Sequence, residues 1–251
     1  MGSMWIDPVD DTQYTVDPNQ APAPFNAGWM VPTYEFPESR WGADFIGTMV
    51  VIQFMATAWQ TKIVIDPPNM PGGLAMQAEL KYLVDCQINL RPSALAEIFA
   101  QNQYFQPYFV NQLGISSASH PSTYLMLKMA ARIGELVMVF LKAQWNAVRP
   151  SQIYPRLFPP IAVAPHASYP SGHSLVGHMM AATATAIVPQ MGLAPGELAT
   201  RIAVNREIAG LHFPSDTSAG ADAAAQAFKL FQTIPWYQQA LTAAKAEWSL
   251  I

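Results

Sequence analysis

Three short stretches of this sequence carry residue types suited to gripping an oxyanion. The first, Lys142-Ala-Gln-Trp-Asn-Ala-Val-Arg149-Pro150, sets two cations seven residues apart, a spacing that puts both on one face of a helix. That face ends at a proline, where helices usually stop. Alone, such a pair could simply complement a helix dipole. The second is His166-Ala-Ser-Tyr-Pro-Ser171-Gly172-His173. A Pro-Ser-Gly turn opening a helix presents backbone N–H groups to an anion. Ser171 can cap that helix and donate its hydroxyl, and Gly172 lets the backbone approach a ligand closely. His173 falls in the first turn, where a satisfied core histidine is the plainer alternative. The third is Arg206-Glu-Ile-Ala-Gly-Leu-His212-Phe-Pro-Ser-Asp216. Arg206 ends one helix, His212 lies in the connection and Asp216 opens the next helix. There Asp216 can accept a hydrogen bond from the imidazole and free its other nitrogen to attack or ligate.

Taken together the stretches supply three cations beside helix ends in apolar sequence, with two neutral donors and two histidines. Burying unpartnered cations is very costly. An oxyanion removes that cost, because each charge pair at ~4 Å is worth about 4 kcal/mol at an effective dielectric near 20. In this arrangement His212 lies in line with the axial position of the anion, and His173 faces it from the other side as proton donor or acceptor.

Read in order, Lys-x6-Arg-Pro, Pro-Ser-Gly-His and Arg-x5-His-x3-Asp resemble the pattern of the superfamily that joins type 2 phosphatidic acid phosphatases, bacterial non-specific acid phosphatases and vanadium-dependent haloperoxidases. The resemblance implies that Lys142, Arg149, Ser171, Gly172 and Arg206 hold the equatorial oxygens of phosphate or vanadate. It implies that His212 is the phosphate nucleophile or the vanadium ligand, that His173 is the general acid/base, and that Asp216 orients His212. One departure is Asn205, where the phosphatase pattern has Ser beside the Arg. Four features bear on the branch. His166, seven residues before His173, resembles an extra histidine of the bromoperoxidase block. Trp145, Phe158, Tyr169 and Phe213 suggest a dry pocket suited to halide oxidation. The modest length and the His-Phe-Pro-Ser-Asp form resemble the phosphatases instead. The reading adopted is a vanadium-dependent haloperoxidase, with vanadate as cofactor on His212, oxidising bromide or iodide with hydrogen peroxide and with His166 behind the first contacts. The alternative is a cofactor-free acid phosphatase acting on a phosphomonoester through a phosphohistidine. A non-catalytic oxyanion-binding protein is the third.

The elements that must position these residues read as helices. Apolar periodicity and end signals predict eight, over 44–61, 74–89, 93–102 (capped by Ser93), 122–148, 172–188, 195–210, 215–233 and 235–250. Strand alternation is nearly absent, so the fold class is an all-α, single-domain bundle like that of the haloperoxidases and acid phosphatases. Residues 38–251 form its catalytic domain. Residues 1–37, rich in Pro and Asp, read as an extended arm anchored by Trp5, Phe25, Trp29 and Phe36, with 1–3 resembling a tag scar. Apolar residues make up 51% and charged residues 12% of 251, with net charge −4. This excludes a disordered chain and disfavours nucleic-acid binding. It suggests a homo-oligomer covering part of the surface. No run is apolar and long enough for a membrane span. A soluble protein is expected, cytoplasmic or, with a signal removed, periplasmic. Cys86, the single cysteine, reads as a small buried hydrophobe, and no His/Cys/carboxylate cluster has metal-ligand spacing. Met126, Met129 and Met138 read as helix core, His178 as core or support, His120 as loop, and Glu207 as a surface or pairing charge.

Overall fold

The computed structural model describes residues 42–102 and 104–249. The arm expected over 1–37, with its aromatic anchors, lies outside them. The described residues are helical, with no strand among them. The elements run α1 (Ala43–Met55), α2 (Trp59–Lys62), α3 (Leu74–Asn89), α4 (Arg91–Ala100), α5 (Gln106–Leu113), α6 (Pro121–Trp145), α7 (Pro150–Ile153), α8 (Gly172–Ile187), α9 (Ala194–Ile208), α10 (Pro214–Phe231) and α11 (Pro235–Trp248).

Each of the eight expected helices is present, and three readings need correction. The 44–61 run breaks, because Ala58 takes the left-handed conformation between α1 and α2. The Thr57 hydroxyl donates to the Phe54 carbonyl at 2.8 Å, and Trp59 stacks back on Phe54. The helix expected from Ser93 starts at Arg91, and the Ser93 hydroxyl donates to the Leu90 carbonyl instead of capping an amide. The 122–148 helix stops at Trp145, because Asn146 adopts φ 44° and closes it. Helix α5 was not anticipated. Its signals are Pro107 in the first turn and Gly114 in the left-handed cap, the usual pair of end markers, but its eight residues are too few to show a period.

Helix α8 is the spine. Its apolar sequence lets it bury Leu175, Val176, Met179, Met180, Ala184 and Ile187 while packing against α6, α9 and α10. Small residues bring these neighbours close. A Cβ at Gly134 of α6 would stand 3.1 Å from the Val176 Cα, and one at Gly220 of α10 would stand 2.7 Å from the Ser171 carbonyl oxygen. The α6 and α8 axes are antiparallel, since Gly134 meets Val176 while Met138 meets Gly172. Cys86 is buried beside Ile98, Ile208 and Leu211, as a small hydrophobe would be. Among the described residues no helix is long and apolar enough to cross a membrane.

The contact at Gly220 holds the N-terminus of α8. Gly220→Ala should therefore destabilise the fold by about 1–3 kcal/mol, overpacking outweighing the better helix propensity of alanine. Urea denaturation measures this, and an unchanged midpoint would show that the two helices can separate at little cost.

Candidate active site

The chain delivers its chemistry at helix ends. Helix α9 closes in a Schellman motif. Gly210, at φ 77°, donates its N–H to the Glu207 carbonyl at 2.7 Å, and Leu211 donates to the Arg206 carbonyl at 3.0 Å, the paired bonds of that cap. The turn carries His212 back beside Arg206. Pro214 then opens α10, and Asp216, third in that helix, accepts from the Phe213 N–H at 3.1 Å. One side chain thus caps α10 and reaches His212. Ser171 caps α8 by accepting from the Ser174 N–H, and its own N–H donates to the Asp216 carbonyl at 2.9 Å, which ties the α8 and α10 N-termini together.

Lys142 and Arg149 do not share a helix face. Lys142 sits in the last turn of α6, whereas Arg149 follows the left-handed Asn146 and precedes α7, which Pro150 opens. They converge nonetheless. The Lys142 ammonium donates to the Ala167 and Ser168 carbonyls, both at 2.7 Å. Arg149 donates to the His166 carbonyl at 2.9 Å and to the Leu211 carbonyl at 3.0 Å. It thereby bridges the second and third sequence blocks. Arg206 donates from Nη2 to the Asn102 side-chain oxygen at 3.1 Å, while its Nε and Nη1 are buried with no partner. Lys142, Arg149 and Arg206 are only 5%, 3% and 4% exposed. Among the described residues no carboxylate pairs with any of them. Burial lowers the Lys142 pKa to about 7, with Arg149 adding to the effect. Burial and then Arg149 bring Arg206 down to about 10.

His212 Nδ1 lies 2.9 Å from the Asp216 carboxylate. The carboxylate can only accept, so Nδ1 carries the proton and Nε2 keeps its lone pair. Ser168 donates to the same Asp216 oxygen at 2.5 Å. Burial, then Lys142, Arg149 and Arg206, holds His212 well below the ordinary histidine range, so its ring is neutral. Burial raises Asp216 to about 6, opposed by the Ser168 and Phe213 hydrogen bonds. His173 Nε2 donates to the Gln101 carbonyl at 3.1 Å, leaving Nδ1 as the exchanging nitrogen, and its ring lies 4.7 Å from that of Phe105. Burial and then Arg206 depress His173 strongly.

A cavity of about 250 Å³ brings Arg149, Arg206, His166, Gly172, His173 and His212 to one wall. Lys142, Ser171 and Asp216 stand behind it. His166 is at the rim, its Nδ1 3.2 Å from Arg149 Nη2. The aromatic lining expected from Trp145, Phe158, Tyr169 and Phe213 is not there. Trp145 and Tyr169 pack edge to face at 6.1 Å, and Phe158 is 71% exposed. The aromatic residue of the wall is Phe105. Met138 also lines the cavity and so is not simply core. Glu207 is buried, not on the surface, and burial raises its carboxyl. His178 turns back on its own helix, its Nδ1 2.8 Å from the Ser174 carbonyl.

Sequence reading missed the wall formed between α4 and α5. Asn205 donates to Glu97 at 2.8 Å and to the Gln101 side chain at 2.9 Å, bracing the residue whose carbonyl holds His173. Ser168 was visible inside the second block but had no role. Asn102, Gln106 and Glu135, also at the cavity, carried no signal, because no motif or period joins them to the rest.

The PAP2 superfamily family model matches residues 123–240, which include all three blocks. This region belongs to the PAP2 superfamily. The PAP2 region begins in α6 and ends in α11, so the α4–α5 wall lies outside it. No curated protein matches the chain. Among solved structures, a transmembrane PAP2-type phosphatidylglycerolphosphate phosphatase from Bacillus subtilis is similar at 16% identity and a TM-score of 0.48, covering 74% of this chain and 94% of that one.

With Lys142 protonated below about pH 7, an anion meets three positive charges there and two above it. Sulfate, which does not itself titrate in this range, should therefore bind progressively more weakly as pH rises above about 7, with proton uptake on binding. Calorimetry in buffers of different ionisation enthalpy checks this. The expected effect of Lys142→Met is to flatten the profile at the weaker level.

Proposed function

We propose that this protein is a phosphohydrolase that cleaves phosphomonoesters through a phosphohistidine on His212. The observation that carries the reading is the pair of orphaned Arg206 nitrogens beside a neutral, aspartate-held imidazole, in a site whose cations have no carboxylate partners among the described residues. A phosphoryl group supplies the missing acceptors. His212 Nε2 attacks phosphorus as the ester P–O bond breaks, while the Nδ1 proton stays shared with Asp216. The departing oxygen takes a proton from His173 Nδ1. Water then attacks phosphorus as the P–N bond breaks, gives a proton to His173, returns the lone pair to His212 Nε2 and releases orthophosphate. Arg149, Arg206, the charge of Lys142 and the N–H groups at the start of α8 offset the negative charge that accumulates. The free His173 is depressed partly by Arg206. A bound dianion cancels that repulsion and lets His173 hold the proton it must donate. In this reading residues 38–251 act as the catalytic domain.

The haloperoxidase reading loses its dry aromatic pocket, since the four expected aromatics do not line the cavity. His166 at the rim, beside Arg149, is the observation that still favours it. The donor set fits vanadate too: Lys142, Arg149, Ser171, Gly172 and Arg206 would hold its oxygens and His212 would ligate vanadium. Bound vanadate would supply activation of hydrogen peroxide for halide oxidation.

His212→Ala should abolish hydrolysis of p-nitrophenyl phosphate and remove a base-stable, acid-labile phosphoenzyme trapped by an alkaline quench. Turnover surviving in that variant would overturn the assignment. His173→Ala should lower kcat/KM about 100- to 10,000-fold on alkyl phosphates, and much less on p-nitrophenyl phosphate, whose leaving group needs no proton in the phosphoryl-transfer step. The same preparation assayed with vanadate, bromide and peroxide decides between the readings: bromination without phosphatase activity would reverse the proposal.

A further inference from the structure

The cavity has a second end that the phosphoryl chemistry does not use. Glu135 of α6 lines it together with Gln106, Met138 and Val176. Because Gly134 faces Val176 while Met138 faces Gly172, Glu135 stands at the level of Val176. That is one turn, about 6 Å, farther along α8 than the Gly172 level where the phosphoryl group would sit. Arg149, Arg206 and His212 form the buried floor, whereas Glu135, Gln106 and Met138 are half-buried toward the opening. In the phosphohydrolase reading, a leaving group attached to a phosphoryl on the floor extends toward these residues. It meets there the Gln106 side-chain oxygen, which is buried and has no partner, and the Glu135 carboxyl, whose pKa burial raises and Arg132 lowers.

We infer that Glu135 and Gln106 set leaving-group specificity. They favour phosphomonoesters of alcohols bearing hydroxyl or ammonium groups, and they exclude leaving groups that carry a second anionic phosphate. A further anion at this level meets a carboxylate at short range in a low-dielectric wall. A hydroxyl or ammonium group gives the Gln106 oxygen the donor it lacks and meets Glu135 favourably. The inference deepens the phosphohydrolase reading and rests on it for the orientation of the substrate.

The test compares kcat/KM for ethanolamine phosphate and for inorganic pyrophosphate in the wild type, Glu135→Gln, Glu135→Lys and a remote surface control, Glu197→Gln. The ethanolamine phosphate to pyrophosphate ratio should fall about tenfold in Glu135→Gln and further in Glu135→Lys, and should hold in the control. The affinities of the same two compounds, measured calorimetrically with each substitution on a His212→Ala background, should shift in the same order. Turnover with a ratio within twofold of wild type in both Glu135 variants overturns the inference and leaves the phosphohydrolase reading intact. Affinities that shift as expected in a protein that also fails to hydrolyse p-nitrophenyl phosphate uphold the selectivity and sink the phosphohydrolase reading, whereas affinities that do not shift overturn the inference.

Discussion

A surplus of buried positive charge governs this molecule. Lys142, Arg149 and Arg206 are withdrawn from water. The Asp216 carboxylate is already engaged by His212, Ser168 and the Phe213 amide. Backbone carbonyls take up part of the surplus, and that division sorts the cations. Lys142 and Arg149 hold the 166–168 loop and the Leu211 carbonyl in place. Arg206 retains two unanswered donors. An anion is the economical solution to such a site, since the desolvation of the cations has already been met by the fold.

The remaining architecture keeps these groups together despite their repulsion. The glycine-closed end of α9 returns the chain so that His212 stands next to Arg206, and the capping aspartate of α10 fixes its ring. The close approach of Gly220 to Ser171 locks the start of α8 to the start of α10. Three helix ends are thereby joined through backbone bonds that do not depend on a ligand. The site is assembled by secondary-structure endings, which are local and cooperative with the helices themselves.

This explains what the sequence revealed and what it did not. The three blocks were legible because capping and turn chemistry demand particular residues at fixed spacing: Ser171 before Gly172, Gly210 before His212, Pro214 before Asp216. The helices were legible from their apolar periodicity. Asn146 misled, since nothing in the sequence required it to adopt a left-handed conformation and separate Lys142 from Arg149. The expected aromatic lining failed for a similar reason. Proximity in sequence placed Phe158 near the site, but the loop turns it outward, and the pocket takes Phe105 from the distant α4–α5 connection. Contacts made across long sequence separation, such as Gln101 with His173 or Asn102 with Arg206, leave no periodic trace.

The bracing by Asn205 has a consequence of its own. Its amide links Gln101, whose carbonyl restrains the His173 ring, to Glu97, which pairs with Arg201 at the protein surface. The His173 imidazole is half-buried at the cavity, yet its tether is anchored in a solvent-facing charge pair. The cavity wall thus has a mooring outside the pocket, running from Arg201 through Glu97 and Asn205 to Gln101.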